Sequence, residues 1–266
     1  MMKTFTDQIG RKVSFNNYPP KRIISLVPSQ TELLFYLGLD ETVVGITKFC
    51  VHPEVHFRKK VKIGGTKNLN FEKITSLQPD LIIGNKEENE KTQIEQLARQ
   101  FPVWMSDIKK LEDAFEMIEQ IGEITDRATP AAQLNDQLKK LFSTFIDSSK
   151  SFPEKSAAYL IWRKPFMVAA DQTFINEMLK IAGFKNVFDH LQRYPSITLE
   201  ELAKAAPEII LLSSEPYPFK EKHIAEIQEY CPQRIVKLVD GELFSWYGNR
   251  LMHAIRYFET LRKELW

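Results

Sequence analysis

The chain of 266 residues has few of the features that mark several common classes of protein. It contains only 10 glycines, and it has no phosphate-binding loop, dinucleotide-binding fingerprint or nucleophile elbow. Its 36 basic and 35 acidic residues nearly cancel, so the charge predicts no binding to nucleic acid or to an anionic membrane. No apolar run approaches the roughly 18 residues of a membrane helix, so we expect no transmembrane segment.

Cysteine is also scarce. The chain has two, Cys50 and Cys231. A disulfide between them would lock any hinge between two lobes, so we expect two free thiols, and the redox compartment stays undecided. The N-terminal stretch MMKTFTDQIGRKVSF lacks the apolar core of a secretory signal peptide. A cytoplasmic location therefore stays open beside that of an exported chain that has lost its signal.

The most informative feature that is present is a helix–turn–strand unit that occurs twice. The first copy is NFEKITSLQPDLIIG, residues 70–84, and the second is TLEELAKAAPEIILL, residues 198–212. In both, apolar residues at helical spacing precede a proline, an acid and an apolar run. Pro79 and Pro207 cannot donate a backbone hydrogen bond, so each ends its helix. The constant offset between matched positions predicts two lobes built alike, with a chance likeness between two α/β segments as the alternative.

A long helical pattern separates the two copies. It has Pro130 in its first turn, continues through apolar residues to Phe145 and ends near Ser148. A helix of about 20 residues spans on the order of 30 Å. We therefore predict an α/β protein with an N-terminal lobe over residues 1–125, a connecting helix over residues 126–152 and a C-terminal lobe over residues 153–266.

Local signals predict several further elements. An opening β-hairpin is expected between Thr4 and Phe15, with Gly10 at a positive φ. Ser29 and Glu32 form a predicted capping box for a helix that ends at Gly38. The ranges 48–56, 163–170 and 240–248 are predicted to be loops.

Aromatic side chains follow several of the predicted strands. Ligands of open α/β sheets bind outside the carboxyl ends of the strands, and loop aromatics bury a large area on a ligand. Each ring taken singly has a simpler interpretation as a core or rim residue. The candidate ligand-binding residues are Phe49, Trp162, Phe166, Tyr217, Trp246, Tyr247 and Arg250.

Two strand-end loops offer an alternative chemistry, a bound metal ion. Cys50 and His52 loosely match the spacing of metal ligands, and Glu87 and Glu88 follow another strand. There is no CxxC or HExxH motif, and adjacent carboxylates in such a loop commonly begin the next helix. We find no catalytic constellation, so we do not expect an enzyme.

Glu72 and Glu200 occupy matched positions in the first turns of the two repeated helices. A favourable interaction with the helix dipole is one explanation for an acid at this position. The alternative is that the two glutamates form a pair of docking points for a partner, related by the pseudo-symmetry of the two lobes.

Three stretches, FTDQIGRKVSF, RIISLVPSQTELLFYLGL and LNFEKITSLQPDLIIGN, together with the second copy of the unit, carry a family resemblance. They resemble the class III substrate-binding proteins of ABC importers, the cobalamin- and iron-siderophore-binding group also called the helical-backbone metal receptor superfamily. The resemblance covers nearly the whole chain. It implies two Rossmann-like lobes, one connecting helix and a ligand cleft between the lobes.

The resemblance also implies the function and the partners. It implies a substrate-binding component with no intrinsic cofactor, which holds a small metal chelate, cobalamin or a ferric siderophore, between aromatic side chains. Glu72 and Glu200 would then dock to arginines of an ABC transporter permease. A monomer in the periplasm or cell envelope is expected.

The chain departs from the cobalamin-binding pattern at one loop, where Gly65-Thr66-Lys67 stands in place of a tryptophan. The alternative is therefore a non-exported corrinoid- or metal-ion-binding protein, or a metal-dependent enzyme, that uses Cys50, His52, Glu87 and Glu88.

Overall fold

The computed structural model describes residues 2–150 and 152–266 and divides the chain into two compact units. The first comprises Met1–Ile108, Glu112–Leu138 and Tyr247–Arg250. The second comprises Lys109–Leu111, Lys139–Trp246 and Leu251–Trp266. The chain therefore returns briefly to the first unit just before its last helix.

The first unit is built on a five-stranded parallel sheet and a separate two-stranded hairpin. The strands of the unit are β1 (Lys3–Thr6), β2 (Lys12–Phe15), β3 (Ile23–Ser25), β4 (Val43–Ile46), β5 (Val61–Lys62), β6 (Leu81–Asn85) and β7 (Val103–Ser106). Its helices are α1 (Pro28–Tyr36), α2 (Glu54–Lys59), α3 (Phe71–Ser76), α4 (Lys91–Ala98) and α5 (Leu111–Ile124). The sheet order is β5-β4-β3-β6-β7, and each of these pairs is parallel. The chain order reverses between β3 and β6, and in such sheets ligands bind at the carboxyl ends of the strands beside that reversal.

The start of the chain confirms one local prediction and corrects another. β1 and β2 form the predicted antiparallel hairpin, and Gly10 has a φ of 82°. The capping box at Ser29 is wrong, because α1 begins two residues earlier than that cap implies, at Pro28, with Val27 as its N-cap and no side-chain cap. Proline is favoured at the first helical position, where its fixed φ suits the helix. Gly38, at φ 75°, follows the end of α1 as predicted.

The predicted long helix is present as α6 (Ala128–Ser149), with 22 residues. At 1.5 Å per residue it is about 33 Å long. The division between the two units falls inside this helix, after Leu138. The boundaries predicted from the sequence, after residues 125 and 152, stay a prediction.

The second unit has a six-stranded mixed sheet. Its strands are β8 (Lys155–Trp162), β9 (Phe166–Val168), β10 (Phe184–Asn186), β11 (Ser196–Ile197), β12 (Ile209–Ser213) and β13 (Ile235–Val239). Its helices are α7 (Phe174–Ile181), α8 (Leu199–Ala205), α9 (Glu221–Tyr230), α10 (Glu242–Ser245) and α11 (Leu251–Leu265). The order is β11-β9-β8-β12-β13, and β10 also pairs with β8.

The repeated unit of the sequence occupies equivalent places in the two sheets. α3 leads into β6 and α8 leads into β12, and each strand lies between two parallel neighbours. The helices begin alike: the side chain of Asn70 accepts from the amide of Lys73, and that of Thr198 accepts from Glu201. The prediction that the two segments share one structure is confirmed.

Three predicted loops contain regular structure. Residues 166–168 form β9, which pairs antiparallel with β8, and residues 242–245 form α10. The range 48–56 contains the start of α2. These elements are short, and pairing or packing with distant residues rather than a local periodic pattern stabilises them. Within the described residues, no helix has both the length and the apolar character required to cross a membrane.

Candidate functional site

In the first unit, the loop after β4 presents one aromatic ring to solvent. Phe49 is 50% exposed, and the Nζ of Lys48 lies 5.0 Å from its ring centroid. Gly65 lies against one edge of the ring: a Cβ added there would be 3.1 Å from Cε2 of Phe49. The loop therefore offers an apolar face beside a cation, supported by a backbone without a side chain.

Cys50 anchors this loop from below. It is fully buried, Thr31 Oγ1 donates a hydrogen bond to its Sγ at 3.1 Å, and Thr47 Oγ1 lies 3.1 Å from the same sulfur. Burial raises the pKa of the Cys50 thiol, the hydrogen bonds with Thr31 and Thr47 opposing it. A cysteine binds a metal ion as the thiolate, so the environment of Cys50 favours an anchoring role.

The loop after β6 is held by side-chain amides. Asn85 Oδ1 accepts from the backbone amides of Glu87 and Glu88, at 2.8 and 3.1 Å. The amide of Asn85 in turn donates to Asn89 Oδ1 at 2.9 Å, and Asn89 Nδ2 donates to the carbonyl of Thr66 at 3.0 Å. Asn85 and Asn89 are buried, so the two glutamates stand on a rigid turn.

The structure does not support the metal site considered for Cys50, His52, Glu87 and Glu88. Among the described residues, which include these four, no three His, Cys, Asp or Glu side chains form a group that could hold a metal ion. Cys50 points into the core, whereas Glu88 is exposed. Both cysteines of the chain are free thiols, as predicted.

Tyr247 and Arg250 lie in the first unit, although they follow the second unit in the sequence. Arg250 makes a bidentate ion pair with Glu32 of α1, Nε to Oε2 at 2.8 Å and Nη2 to Oε1 at 2.9 Å. Tyr247 is buried, and that burial raises the pKa of its hydroxyl well above its usual range. Gly248 has a φ of 93°, and a Cβ added there would lie 3.3 Å from the Cβ of Leu33. The segment is thus fastened to α1.

In the second unit, Trp162 ends β8 and is 39% exposed. The ring of Tyr217, in the loop after β12, meets it edge-on at 5.8 Å between centroids. The amide of Tyr217 donates to the carbonyl of Ile161 at 3.3 Å, which holds the two strand-end loops together. Phe166 is half-buried and packs on the core of this unit. Three of the predicted ligand-binding residues, Trp162, Phe166 and Tyr217, therefore belong to one edge.

Polar and charged residues that are not among the predicted site residues complete this edge. Arg163 pairs with Glu226 of α9, at 2.8 and 2.9 Å, and the guanidinium holds the pKa of that carboxyl below its usual range. His223 is buried beside Tyr217, and its Nδ1 accepts from the amide of Lys220 at 2.8 Å. Burial lowers the pKa of His223. Only the place of Arg163, directly after a strand, could have indicated them.

Trp246 faces inward. It is 7% exposed, and its Nε1 donates to Glu215 Oε1 at 2.8 Å. The hydroxyl of Ser245 donates to the same oxygen at 2.6 Å. Burial raises the pKa of Glu215, although both hydrogen bonds act in the opposite direction. Trp246 thus braces the loop after β12 and leaves little of its own surface for a ligand.

Glu72 and Glu200 are both exposed, each in the first turn of its helix, α3 and α8. Each helix already has a side-chain N-cap, so neither carboxylate is needed to satisfy the first amides.

Comparison with known proteins identifies the family. A family model described as periplasmic binding protein matches residues 23–230, about four-fifths of the chain. The chain belongs to the periplasmic binding protein family. It is 31% identical over 249 residues to an uncharacterized ABC transporter substrate-binding lipoprotein of Bacillus subtilis, covering 89% of this chain and 78% of that one. It is 29% identical over 220 residues to the vitamin B12-binding protein of Vibrio vulnificus, covering 80% and 79% of the two chains.

Solved structures of periplasmic binding proteins share the fold. The crystal structure of a possible iron-binding, periplasmic solute-binding protein from Staphylococcus epidermidis has a TM-score of 0.77 and 25% identity, and the match covers 93% of this chain and 99% of that one. The predicted fold class, a two-lobed α/β periplasmic binding protein of the class III group, is therefore confirmed. Its relatives are binding proteins, so the chain is a binding protein and not an enzyme.

Proposed function

We propose that this chain is the substrate-binding protein of an ABC importer and that its substrate is a small metal chelate, with cobalamin as the first candidate. The relative from Vibrio vulnificus is named for vitamin B12, and the one from Bacillus subtilis is named as an ABC transporter substrate-binding lipoprotein. The observation that carries the proposal is the pair of exposed strand-end rings, Phe49 in the first unit and Trp162 in the second.

Direct contact with the chelate is assigned to Phe49, Trp162, Tyr217 and Phe166. A planar macrocycle or an aromatic chelate presents flat apolar faces, and exposed aromatic rings recognise such faces at low entropic cost. Trp246 supports this site through Glu215, because its ring is buried.

Tyr247 and Arg250 are assigned a supporting role in the first unit. Arg250 is held by Glu32, so the ion pair joins the segment that carries Tyr247 to the middle of α1.

A ferric chelate is the second candidate ligand. The relative from Staphylococcus epidermidis is named as a possible iron-binding protein. Moreover, the edge of the first unit carries Lys48 beside Phe49, and a cation there suits the anionic chelates among siderophores.

The ligand assignment is tested by titrating the protein with cyanocobalamin, a ferric hydroxamate and haem. Saturable quenching of tryptophan fluorescence, corrected for the absorbance of these coloured ligands, reports binding. Calorimetry then compares Trp162→Ala with the control Tyr230→Ala, which removes an exposed ring at the end of α9. One chelate should bind the wild type and the control equally and Trp162→Ala more weakly. Failure of all three ligands to bind would refute the assignment.

We further propose that Glu72 and Glu200 contact the permease. Charge reversal by Glu72→Lys and Glu200→Lys should leave chelate affinity unchanged and lower uptake in cells that carry the cognate permease. Glu229→Lys, at an exposed position on α9, is the control for a change of surface charge. Unchanged uptake in the double variant would show that the permease docks elsewhere.

The proposed place of action is the periplasm or the cell envelope, as for a lipoprotein. Protease treatment of intact cells and spheroplasts tests this proposal, since only an exported chain is degraded without lysis of the cytoplasmic membrane.

A further inference from the structure

The second unit contains a pocket far from the proposed chelate site. Its volume is about 400 Å³, within the range of small-molecule sites. It is lined by Phe145, Ser148, Phe152, Glu259, Arg262, Lys263 and Trp266. These residues come from the last turns of α6 and α11 and from the approach to β8.

The position of the pocket separates it from the strand-end edge. Lys155, the first residue of β8, has its Nζ 5.5 Å from the Trp266 ring centroid. Trp162 lies at the other end of the same strand, about 23 Å away at 3.3 Å per residue. The pocket thus lies beside the amino end of β8, and Trp162 lies at the carboxyl end.

Arg262 is the unusual residue of the pocket. It is 6% exposed, and its guanidinium carbon lies 4.6 Å from the ring centroid of Phe145, 5.0 Å from that of Phe152 and 5.9 Å from that of Trp266. A guanidinium enclosed by aromatic rings is a cation held by the faces of π-systems.

The hydrogen bonding of Arg262 is incomplete. Its Nη2 donates to the carbonyl of Ala182, at the end of α7, at 3.2 Å. Its Nε is buried, and no acceptor for it exists among the described residues. A buried guanidinium normally pairs with a carboxylate or another anion. The contact with Ala182 uses one of five N–H donors, so a role in ending α7 does not account for the whole group.

Burial also lowers the pKa of Arg262, while the nearby charge of Glu259 acts in the opposite direction. The lining side chains include two cations, Arg262 and Lys263, and one carboxylate, Glu259, so the side-chain charges sum to one positive charge. The pocket therefore combines three aromatic rings with two cationic side chains and one acidic side chain.

We propose that this pocket is a second binding site, specific for a small aromatic monocarboxylate. The carboxylate pairs with Arg262 and Lys263, and the ring of the ligand packs against Phe152 and Trp266. The site is independent of the chelate.

The probe for this site is 3-(4-fluorophenyl)propionate, observed by fluorine NMR, with the neutral 3-(4-fluorophenyl)propanamide as the matched ligand. The acid should bind with a dissociation constant below about 1 mM, and the amide about tenfold more weakly. Equal binding of acid and amide, or no binding of the acid at millimolar concentration, would overturn the proposal.

Variants of the chain locate the binding. Phe152 is 47% exposed, so Phe152→Ala removes one wall of the pocket without opening the core. It should lower the affinity for the acid about fivefold. Lys263→Gln and Arg262→Gln should lower the affinity for the acid and leave the affinity for the amide unchanged. The control is Arg256→Gln, which removes an exposed cation on the same helix. Should Arg262→Gln not fold, Phe152→Ala and Lys263→Gln carry the test.

Phe49→Ala and Trp162→Ala separate this proposal from the proposed function. Both should bind the acid as the wild type does. Loss of acid binding in either variant would place the acid at the chelate site and refute a second site. Absence of chelate binding would leave this result untouched.

Discussion

The strand-end edges of the two units differ in what they present and in how they are supported. In the first unit, buried amides such as Asn85 and Asn89 hold the loops, and one ring, Phe49, is exposed. In the second unit, rings support one another: Tyr217 contacts both Trp162 and Phe219. A hydrogen-bonded loop fixes the position of a single contact with a ligand, whereas a cluster of rings supplies a larger apolar contact area. The first edge is therefore suited to positioning a ligand and the second to binding energy.

The largest expected effect comes from the ion pairs behind these edges. Arg250–Glu32 and Arg163–Glu226 are bidentate, with the same distances, but the side chains of the first pair are 14% and 11% exposed and those of the second 23% and 29%. Arg250→Met leaves the Glu32 carboxylate buried and unpaired, which should cost about 3 kcal/mol of unfolding free energy. Arg163→Met should cost less, because water screens the more exposed pair that it breaks.

Native-state hydrogen exchange measures both losses locally, in α1 for Arg250→Met and in α9 for Arg163→Met. The double variant Glu32→Leu/Arg250→Met should regain part of the loss, because no unpaired charge remains. Equal costs for the two single variants would show that burial does not distinguish the pairs.

The second effect compares two glycines that carry close contacts. A Cβ added at Gly241 would lie 2.3 Å from Ser213 Oγ and 3.1 Å from the backbone nitrogen of Glu215. Gly241→Ala should therefore destabilise the second unit by about 2 kcal/mol, since the buried hydroxyl of Ser213 and the side chain of Glu215 must shift. At Gly65 the nearest atom belongs to the exposed ring of Phe49, so Gly65→Ala should change the unfolding free energy by less than about 0.5 kcal/mol.

Urea unfolding checks both glycine variants, and calorimetry with the chelate adds a control. Gly65→Ala should alter chelate affinity through Phe49 without loss of stability. A destabilised Gly65→Ala would mean that the Phe49 ring is as firmly held as the Ser213 loop.

The third effect divides the binding energy between the edges. Trp162→Ala should weaken chelate binding about tenfold or more, and Phe49→Ala about threefold, because the indole offers more area and has Tyr217 behind it. Calorimetry of the two single variants and the double variant measures the difference. A larger loss in Phe49→Ala would reverse the division of roles between the edges.

Local sequence signals were sufficient for the parts of the fold that depend on local chemistry. The repeated helix–turn–strand units, the long helix α6 and the turns at Gly10 and Gly38 were all predictable, because periodicity, proline and positive φ act within a few residues. The failures have a different cause. β9 is a strand because β8 and β11 pair with it, which no periodicity within residues 166–168 could show.

The site was less predictable than the fold, because its decisive contacts join residues far apart in the chain. Arg250 meets Glu32 across 218 residues, and Trp246 meets Glu215 across 31. The sequence shows that Trp246 follows a strand, but only the partner of its indole N–H determines that the ring faces inward. Phe49 and Trp162 are exposed for the converse reason, since no residue in the described part of the chain covers them in this way.

The smallest effect is a pH dependence that distinguishes two carboxylates of the second unit. Burial raises the pKa of Glu215 above its ordinary value of 4.5, and the hydrogen bonds from Ser245 and Trp246 offset part of that burial. The folded state then holds the proton more tightly than the unfolded state, so stability is lost as pH rises from about 4.5 through the folded pKa. The pH dependence from Glu226 has the opposite sign. Its pKa is lowered in the folded state, so its contribution to the unfolding free energy is lost as pH falls.

A variant in which residue 215 cannot ionise should show the direction of this pH dependence. Glu215→Gln keeps an acceptor oxygen for Trp246 but cannot ionise, so its unfolding free energy relative to wild type should rise between pH 4.5 and pH 8. Glu226→Gln should show the reverse slope at and below pH 4.5, since it gives up an ionised partner of Arg163. Urea unfolding at several pH values measures both slopes. A falling difference for Glu215→Gln would mean that the two hydrogen bonds outweigh burial, and the brace between Glu215 and Trp246 would then be an ionic one.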